Sequence, residues 1–257
     1  MRQRKAPAPV LSVRDLKVQV DHKTILDSVN LHLSRRQNYI LFGPNGSGKT
    51  TLLSAVMGLR PYEIAGGRIM FLGHNITRMD VDQRAKMGLS IGFQNPPEIT
   101  GIKLGELLKM ILGRGLKAGF TGEETELIDG FKLASFLNRE INVGFSGGER
   151  KRAEILQLLF LKPRLLLLDE PDSGVDVQSL RLIATAIQDF VDRNKASALI
   201  VTHQGDILEY IKANFACILL NGRSHCFADP SRIFETIKKY GYEECVACQA
   251  RVREPAG

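Results

Sequence analysis

The nine residues "GPNGSGKTT", Gly43 to Thr51, limit the fold of this chain more than any other stretch. They match G-x-x-x-x-G-K-[ST], follow the strand-like "NYILFG", and precede Leu52, Leu53, Val56, Met57 and Leu59 at helical spacing. In that setting glycines let the backbone turn its amides inward around phosphate, Lys49 offers a cation to the β and γ phosphates, and Thr50 offers Mg²⁺ a hydroxyl. The pattern predicts nucleotide binding by Gly43, Pro44, Asn45, Gly46, Ser47, Gly48, Lys49, Thr50 and Thr51, against the alternative of an incidental Gly-rich turn.

The 257 residues are 44% hydrophobic, enough for one large domain or two small ones. "PVLSVRDLKVQV" and "TILDSVNLHL" alternate as strands joined by "DHK". "GGRIMFLG" and "GLSIGFQ" read as further short strands, and the uninterrupted apolar run in "RLLLLDEP" as a buried one. A helix with an apolar face of Leu180, Ile183, Ala184, Ile187, Phe190 and Val191 then leads to "SALIVTH". Strand alternating with helix predicts an α/β fold around a mostly parallel sheet. Between Gln94 and Asn142 the composition turns helical and nothing reads as a strand, which predicts an inserted helical subdomain at about 95–141. Near the end, "ACILLNGRSHCFA" reads as a hairpin turning at Asn221-Gly222, and Asp229-Pro230 as the cap and first residue of a helix.

Asp169 and Glu170 end the apolar strand, where an open α/β sheet places its ligand crevice. There Asp169 is suited to hold Mg²⁺ through water, and Glu170 to orient or deprotonate an attacking water. An isolated Asp-Glu pair is an ordinary strand end; a phosphate loop in the same sheet turns the reading toward catalysis. A second phosphate-binding surface is predicted in "FSGGERKRAEILQLLF", where Ser146, Gly147 and Gly148 stand at a helix start that exposes unpaired amides and the positive end of the helix dipole. Arg150, Lys151 and Arg152 behind them read for the most part as a solvated helix face.

These motifs resemble the ABC-type ATPases, whose signature has the form of "FSGGE" and binds the γ-phosphate of a nucleotide held by a partner subunit. The resemblance spans about Val10 to Tyr240 and implies a P-loop ABC ATPase core at 9–240 with an N-terminal antiparallel β subdomain and the helical insert, between a basic tail at 1–8 and a polar tail at 241–257. It implies ATP and Mg²⁺ as cofactors, Gln94 in "GFQN" as a Mg²⁺- and water-contacting residue, Asp176 in "SGVD" as an interface residue, and His203 in "VTH" as the γ-phosphate sensor. Taken alone, His203 would be a strand-end histidine and Gln94 a polar loop residue; their order among the other motifs supports the functional reading. One phosphate loop and one signature per chain imply an ATP-dependent, head-to-tail homodimer with two composite sites.

Within that class the chain is similar to the SufC ATPases of SUF iron-sulfur cluster assembly, on "NVGFSGGERKRAEILQ", "FQNPPEITGI", "YEIAGGRIMF", "DSGVD" and "VTHQGDILEYIKA". Val20 stands where transporter subunits usually carry an adenine-stacking aromatic, an absence SufC-like chains share. The resemblance implies a SufB/SufD-like scaffold protein docking near Pro96 to Ile99. The chain departs from SufC in a shorter helical insert and in Pro171, where bacterial relatives often have serine. The alternative is the nucleotide-binding subunit of a membrane transporter.

The net charge of +7 suits nucleic acid, an anionic membrane or a phosphate ligand equally. A nucleic-acid-linked ABC protein would usually carry two ATPase units or a long coiled-coil insert, and neither is visible, so nucleic acid is not an expected partner. No apolar run approaches the ~18 to 20 residues of a membrane span and no secretory signal is evident, which predicts a cytoplasmic protein without direct membrane insertion. The cysteines Cys217, Cys226, Cys245 and Cys248 do not form a disulfide framework. Cys245 and Cys248 supply half of a four-ligand metal site that Cys217, Cys226, His225 or a second chain would have to complete; two uncoordinated thiols in a polar tail is the favoured reading.

Overall fold

The computed structural model describes residues 9–253, except the side chains of 226–228 and 248–253. The predicted basic tail at 1–8 lies outside the described residues. The chain opens with β1 (Leu11–Val20) and β2 (Lys23–Leu33), an antiparallel pair joined where Asp21 and His22 both take positive φ, the geometry of a tight hairpin turn. After β3 (Asn38–Phe42) the phosphate-loop segment leads into α1 (Lys49–Met57). β4 (Glu63–Phe71) pairs with the free edge of β1 and β5 (His74–Asn75) with β4, giving a four-stranded antiparallel sheet in the order β2-β1-β4-β5.

Next come α2 (Val81–Lys86), β6 (Leu89–Gly92), β7 (Ile99–Lys103), α3 (Leu104–Ile111), α4 (Gly122–Gly130) and β8 (Glu140–Ile141). The strand-free reading of 94–142 is corrected here, because β7 and β8 pair antiparallel. The hairpin closes the insert on itself: Asn142 Nδ2 donates to Pro97 O at 2.7 Å, and the Gly101 N–H donates to Glu140 Oε1 at 2.9 Å.

The second half runs α5 (Gly147–Phe160), β9 (Leu165–Asp169), α6 (Val177–Asn194), β10 (Ser197–Val201), β11 (Ala213–Leu220), β12 (Arg223–Ala228) and α7 (Pro230–Arg253). The main sheet has the order β12-β11-β3-β10-β9-β6, parallel throughout except for the β11-β12 hairpin, whose turn residues Asn221 and Gly222 both have positive φ. Strands β3, β9 and β10 are buried at every position, so the run "LLLLD" needs no polar alternation. Their side chains sort by face: Ile40, Phe42, Leu166, Leu168 and Ile200 pack under α5 and α6, while Tyr39, Leu41, Leu165, Leu167 and Val201 join α1 and the N-terminal sheet.

α7 starts as the sequence predicts, with Asp229 Oδ1 accepting the Arg232 N–H at 3.0 Å. The helix breaks at Gly241 (φ 82°, ψ 174°), and the part beyond is helical through Arg253, where the sequence reading expects a polar tail. Cys245 there is fully buried, and Tyr242 and Val246 pack against the same core.

Candidate functional site

The carboxyl ends of β3, β9 and β10 lie side by side, so the segments leaving them share one crevice. From β3 the chain enters Gly43–Thr51, whose glycines are required sterically. A Cβ on Gly43 would meet Leu219 O at 2.4 Å, and one on Gly48 (φ +99°) would meet Leu26 Cδ2 at 2.5 Å. Lys49 is buried and donates from Nζ to Gly43 O at 2.8 Å and Pro44 O at 3.0 Å, closing the loop into a ring. Burial lowers its pKa, and the nearby carboxylates of Glu170 and Asp169 oppose that shift. Asn45, Gly46 and Thr50 are exposed along the loop's outer side, and Ser47 Oγ is buried without a hydrogen-bond partner.

From β9 come Asp169 and Glu170. Thr50 Oγ1 donates to Asp169 Oδ2 at 2.6 Å, while Asp169 Oδ1 is buried and unpartnered. Burial raises the Asp169 pKa, against the pull of Thr50. Glu170 is held at φ 50°, a strained value for glutamate. Its carboxylate is the meeting point of the three residues assigned to catalysis: Gln94 Nε2 donates to Oε2 at 2.7 Å, and His203 Nδ1 approaches Oε1 to 3.2 Å off the hydrogen-bond axis. From β10, Thr202 donates to Asp172 Oδ2 at 2.5 Å, and the Gln204 and Gly205 N–H groups donate to Thr202 Oγ1 at 3.2 and 3.1 Å, so the residues flanking His203 are pinned.

Ser146, Gly147 and Gly148 form a separate surface with Asp176. Ser146 caps α5 in a reciprocal box with Glu149: it accepts the Glu149 N–H at 3.3 Å and its own N–H donates to Glu149 Oε2 at 2.7 Å. Its hydroxyl proton remains available to a ligand. Asp176 caps α6, accepting from Ser179 N at 2.9 Å and Ser179 Oγ at 2.7 Å. The two caps abut: a Cβ on Gly147 would meet Gly174 O at 2.8 Å, and one on Gly148 would meet Ser179 Oγ at 2.8 Å. Ser146, Gly147 and Asp176 are exposed, and among the described residues no hydrogen bond or ion pair joins 146–148 to 43–51.

The solvated reading of Arg150–Arg152 is corrected for two of the three. Lys151 is buried, donating to Phe93 O at 2.7 Å, and Arg152, half-buried, donates to Phe131 O at 2.8 Å; Arg150, also half-buried, stands 3.6 Å from the exposed Glu98. The missed signal was spacing, since Lys151, Glu154, Ile155 and Leu158 fall at i, i+3, i+4 and i+7, one face of the helix. Sequence reasoning also missed Tyr242, which α7 brings against the Gly43 amide; burial pushes its phenol up, the amide opposes this, and Glu170 adds to it. No local pattern marks that residue. Among the described residues no three His, Cys, Asp or Glu side chains cluster as metal ligands, and Cys226 and Cys248 lie outside the described side chains.

The sequence matches a family profile, that of the ABC transporter, over residues 26–173, a span that includes the phosphate loop, Gln94, the 146–148 surface and the Asp169-Glu170 pair. The chain is an ABC ATPase. Among curated ABC relatives, the probable ATP-dependent transporter SufC of Escherichia coli (strain K12) is 38% identical over 83% of this chain and 90% of that protein. The probable ATP-dependent transporter ycf16 of Pyropia yezoensis is 36% identical over 91% and 96%. A probable ABC transporter ATP-binding protein of Streptococcus pyogenes serotype M3 is 36% identical over 91% and 93%. Of solved ABC structures, a nucleotide-free ATP-binding cassette superposes with TM-score 0.75 at 21% identity, covering 92% of this chain and 98% of that one. A dimeric cassette in a post-hydrolysis state, bound to ADP and Pi, gives 0.72 at 20%, covering 86% and 98%. This ABC ATPase therefore binds ATP, has SufC-like relatives over most of its length, and has the cassette fold.

Proposed function

We propose that this ATPase drives a SUF-type iron-sulfur cluster scaffold, closing as a dimer on ATP and reopening on hydrolysis. The convergence of Gln94 and His203 on the Glu170 carboxylate carries the catalytic part of the reading. Glu170 takes the proton of the attacking water or orients it, His203 faces the γ-phosphate, and Gln94 holds the carboxylate in register. Lys49 and the amides of Gly43–Thr51 bind the phosphates.

The residues fit Mg²⁺. Asp169 Oδ1 is a buried acceptor without a partner, Thr50 supplies a hydroxyl beside it, and Gln94, whose Nε2 is on the neighbouring Glu170, would add its amide oxygen. When bound there, the ion would supply positive charge that offsets the negative charge of the phosphates.

Dimerisation is supported by the separation of the 146–148 surface from its own phosphate loop: the exposed Ser146 and Gly147 can meet a phosphate held by a second copy. Asp176 and the adjacent Val177, 70% exposed, lie on that surface and suit a subunit contact. A ligand drives closure only through higher affinity for the closed state, which the shared γ-phosphate supplies.

The scaffold reading draws on the SufC and ycf16 relatives and on the segment after Gln94, where Pro97, Glu98 and Ile99 are exposed beside the exposed Phe93 ring. The helical insert at about 95–141 would form the far wall of the docking groove. Tagged pull-down from native cells, in soluble and membrane fractions with iron quantified, tests this. A non-membrane partner bearing iron, lost with Glu98→Ala/Ile99→Ala, is expected; a membrane-embedded partner without iron would move the ATPase to transport, as the Streptococcus relative's name suggests.

A further inference from the structure

Two buried charges of α5 take no part in the chemistry above, yet both close on the backbone of one residue, Phe93. Lys151 is 4% exposed and Glu154 8%. The Phe93 N–H donates to Glu154 Oε1 at 2.6 Å, Lys151 Nζ donates to Phe93 O at 2.7 Å, and ammonium and carboxylate stand 3.9 Å apart. The Phe93 ring is 44% exposed, so its peptide and not its side chain anchors it. On one side Gly92 runs so close to α5 that a Cβ would meet Leu158 Cδ1 at 3.1 Å. On the other side the next residue is Gln94, whose amide holds Glu170 at 2.7 Å.

A buried ion pair is a poor fastener, because desolvation offsets most of its attraction, and apolar residues would pack this face of α5 at less cost. What the pair supplies is direction: the carboxylate holds the N–H of the peptide before Phe93 and the ammonium holds the C=O of the peptide after it, so both planes flanking the Phe93 Cα are fixed. We propose that Lys151 and Glu154 are positioning residues for ATP hydrolysis, setting Gln94 against Glu170 by gripping the backbone on both sides of Phe93, the residue before it. Because they stand one and two turns behind Ser146, they also tie that setting to the orientation of the helix whose first residues form the 146–148 surface. A displacement of about 1 Å at the Phe93 peptide is enough to break the Gln94 contact.

The test is steady-state ATPase kinetics and ATP binding on the full chain. Glu154→Gln preserves shape and an acceptor oxygen while removing the charge; Lys151→Met removes the ammonium. Each is expected to lower kcat about 5- to 20-fold, the loss of one charge-assisted hydrogen bond, with ATP affinity within about 2-fold of wild type. Lys151→Arg is expected to recover part of the rate. In a Gln94→Ala background Glu154→Gln should cost less than about 2-fold more, because both act through the same contact. Should either single variant fold poorly, Lys151→Met/Glu154→Gln leaves neither charge buried alone and is expected to match the slower single. Wild-type kcat in Glu154→Gln and Lys151→Met, or a Glu154→Gln loss as large without Gln94 as with it, would overturn the proposal.

Discussion

At the scale of single residues, the site's chemistry rests on buried carboxylates kept unlike one another by their partners. Asp169 has one oxygen on Thr50 and one unpartnered; Glu170 has both oxygens addressed by Gln94 and His203. Lys49→Ala is expected to weaken ATP binding itself by at least about 10-fold, since a charge-assisted phosphate contact is worth ~1.5–3 kcal/mol; titration with a fluorescent ATP analogue reads this out. Glu154 gives a pH prediction. Burial raises its pKa to about 7 against the opposing pull of Lys151, with Asp169 adding to the rise. A carboxyl raised in the folded state contributes stability that is fully present below its unfolded pKa and is lost as pH rises through the folded value. The stability of Glu154→Gln relative to wild type should therefore increase as pH rises from about 5 to about 7 and level off above that; denaturant unfolding at pH 5 and pH 8 that showed a constant difference would contradict this. These residues were unequally legible. The glycines and lysine of the phosphate loop announce themselves because few other sequences satisfy that backbone. Lys151 and Glu154 did not, since charge at a helix start ordinarily means solvent, and only their spacing with Ile155 and Leu158 placed them inside.

At the scale of elements, helix ends do most of the positioning. α1 emerges from the phosphate loop, and its last carbonyls are held by a buried guanidinium: Arg84 donates to Ala55 O at 2.8 Å, Val56 O at 2.7 Å, Met79 O at 2.9 Å and Thr77 O at 3.2 Å. Arg84→Ala leaves several buried carbonyls without donors and is expected to cost ~3 kcal/mol or more, lowering Tm by roughly 6–12 °C in thermal unfolding. A drop below about 2 °C would mean that water or relaxation replaces those bonds. The α5 start and the α6 start meet at Gly147 and Gly148, where any Cβ would strike Gly174 or Ser179. Gly148→Ala should thus impair turnover while leaving isolated-chain ATP binding within about 2-fold, separating the 146–148 surface from the phosphate loop in one variant. Elements built from local pattern were readable from sequence: the Asn221-Gly222 hairpin, the buried β9, the Asp229-capped α7. The β7-β8 pair was not, because two residues at Glu140–Ile141 carry no periodicity and their partner lies some forty residues away. The fold-back of α7 beyond Gly241 was hidden in the same way, its polar composition masking one buried face with Tyr242 and Cys245.

At the scale of the whole molecule, two ligand surfaces stand on one chain without touching. The crevice at the ends of β3, β9 and β10 gathers Lys49, Thr50, Asp169, Glu170, Gln94 and His203. Ser146, Gly147 and Asp176 form a separate exposed surface, and among the described residues no hydrogen bond or ion pair joins 146–148 to the phosphate loop. Two-fold symmetry solves this geometry by letting each copy complete the other's site. Among the described residues no helix is long and apolar enough to cross a membrane. The most direct measurement is the solution mass of Glu170→Gln by light scattering with ATP and Mg²⁺, beside the same protein without nucleotide. The account predicts a shift from one chain to two on ATP alone, reversed by ADP, with hydrolysis slowed at least about 100-fold by loss of the carboxylate base. A protein that stays a single chain with ATP saturating its phosphate loop would contradict the composite site.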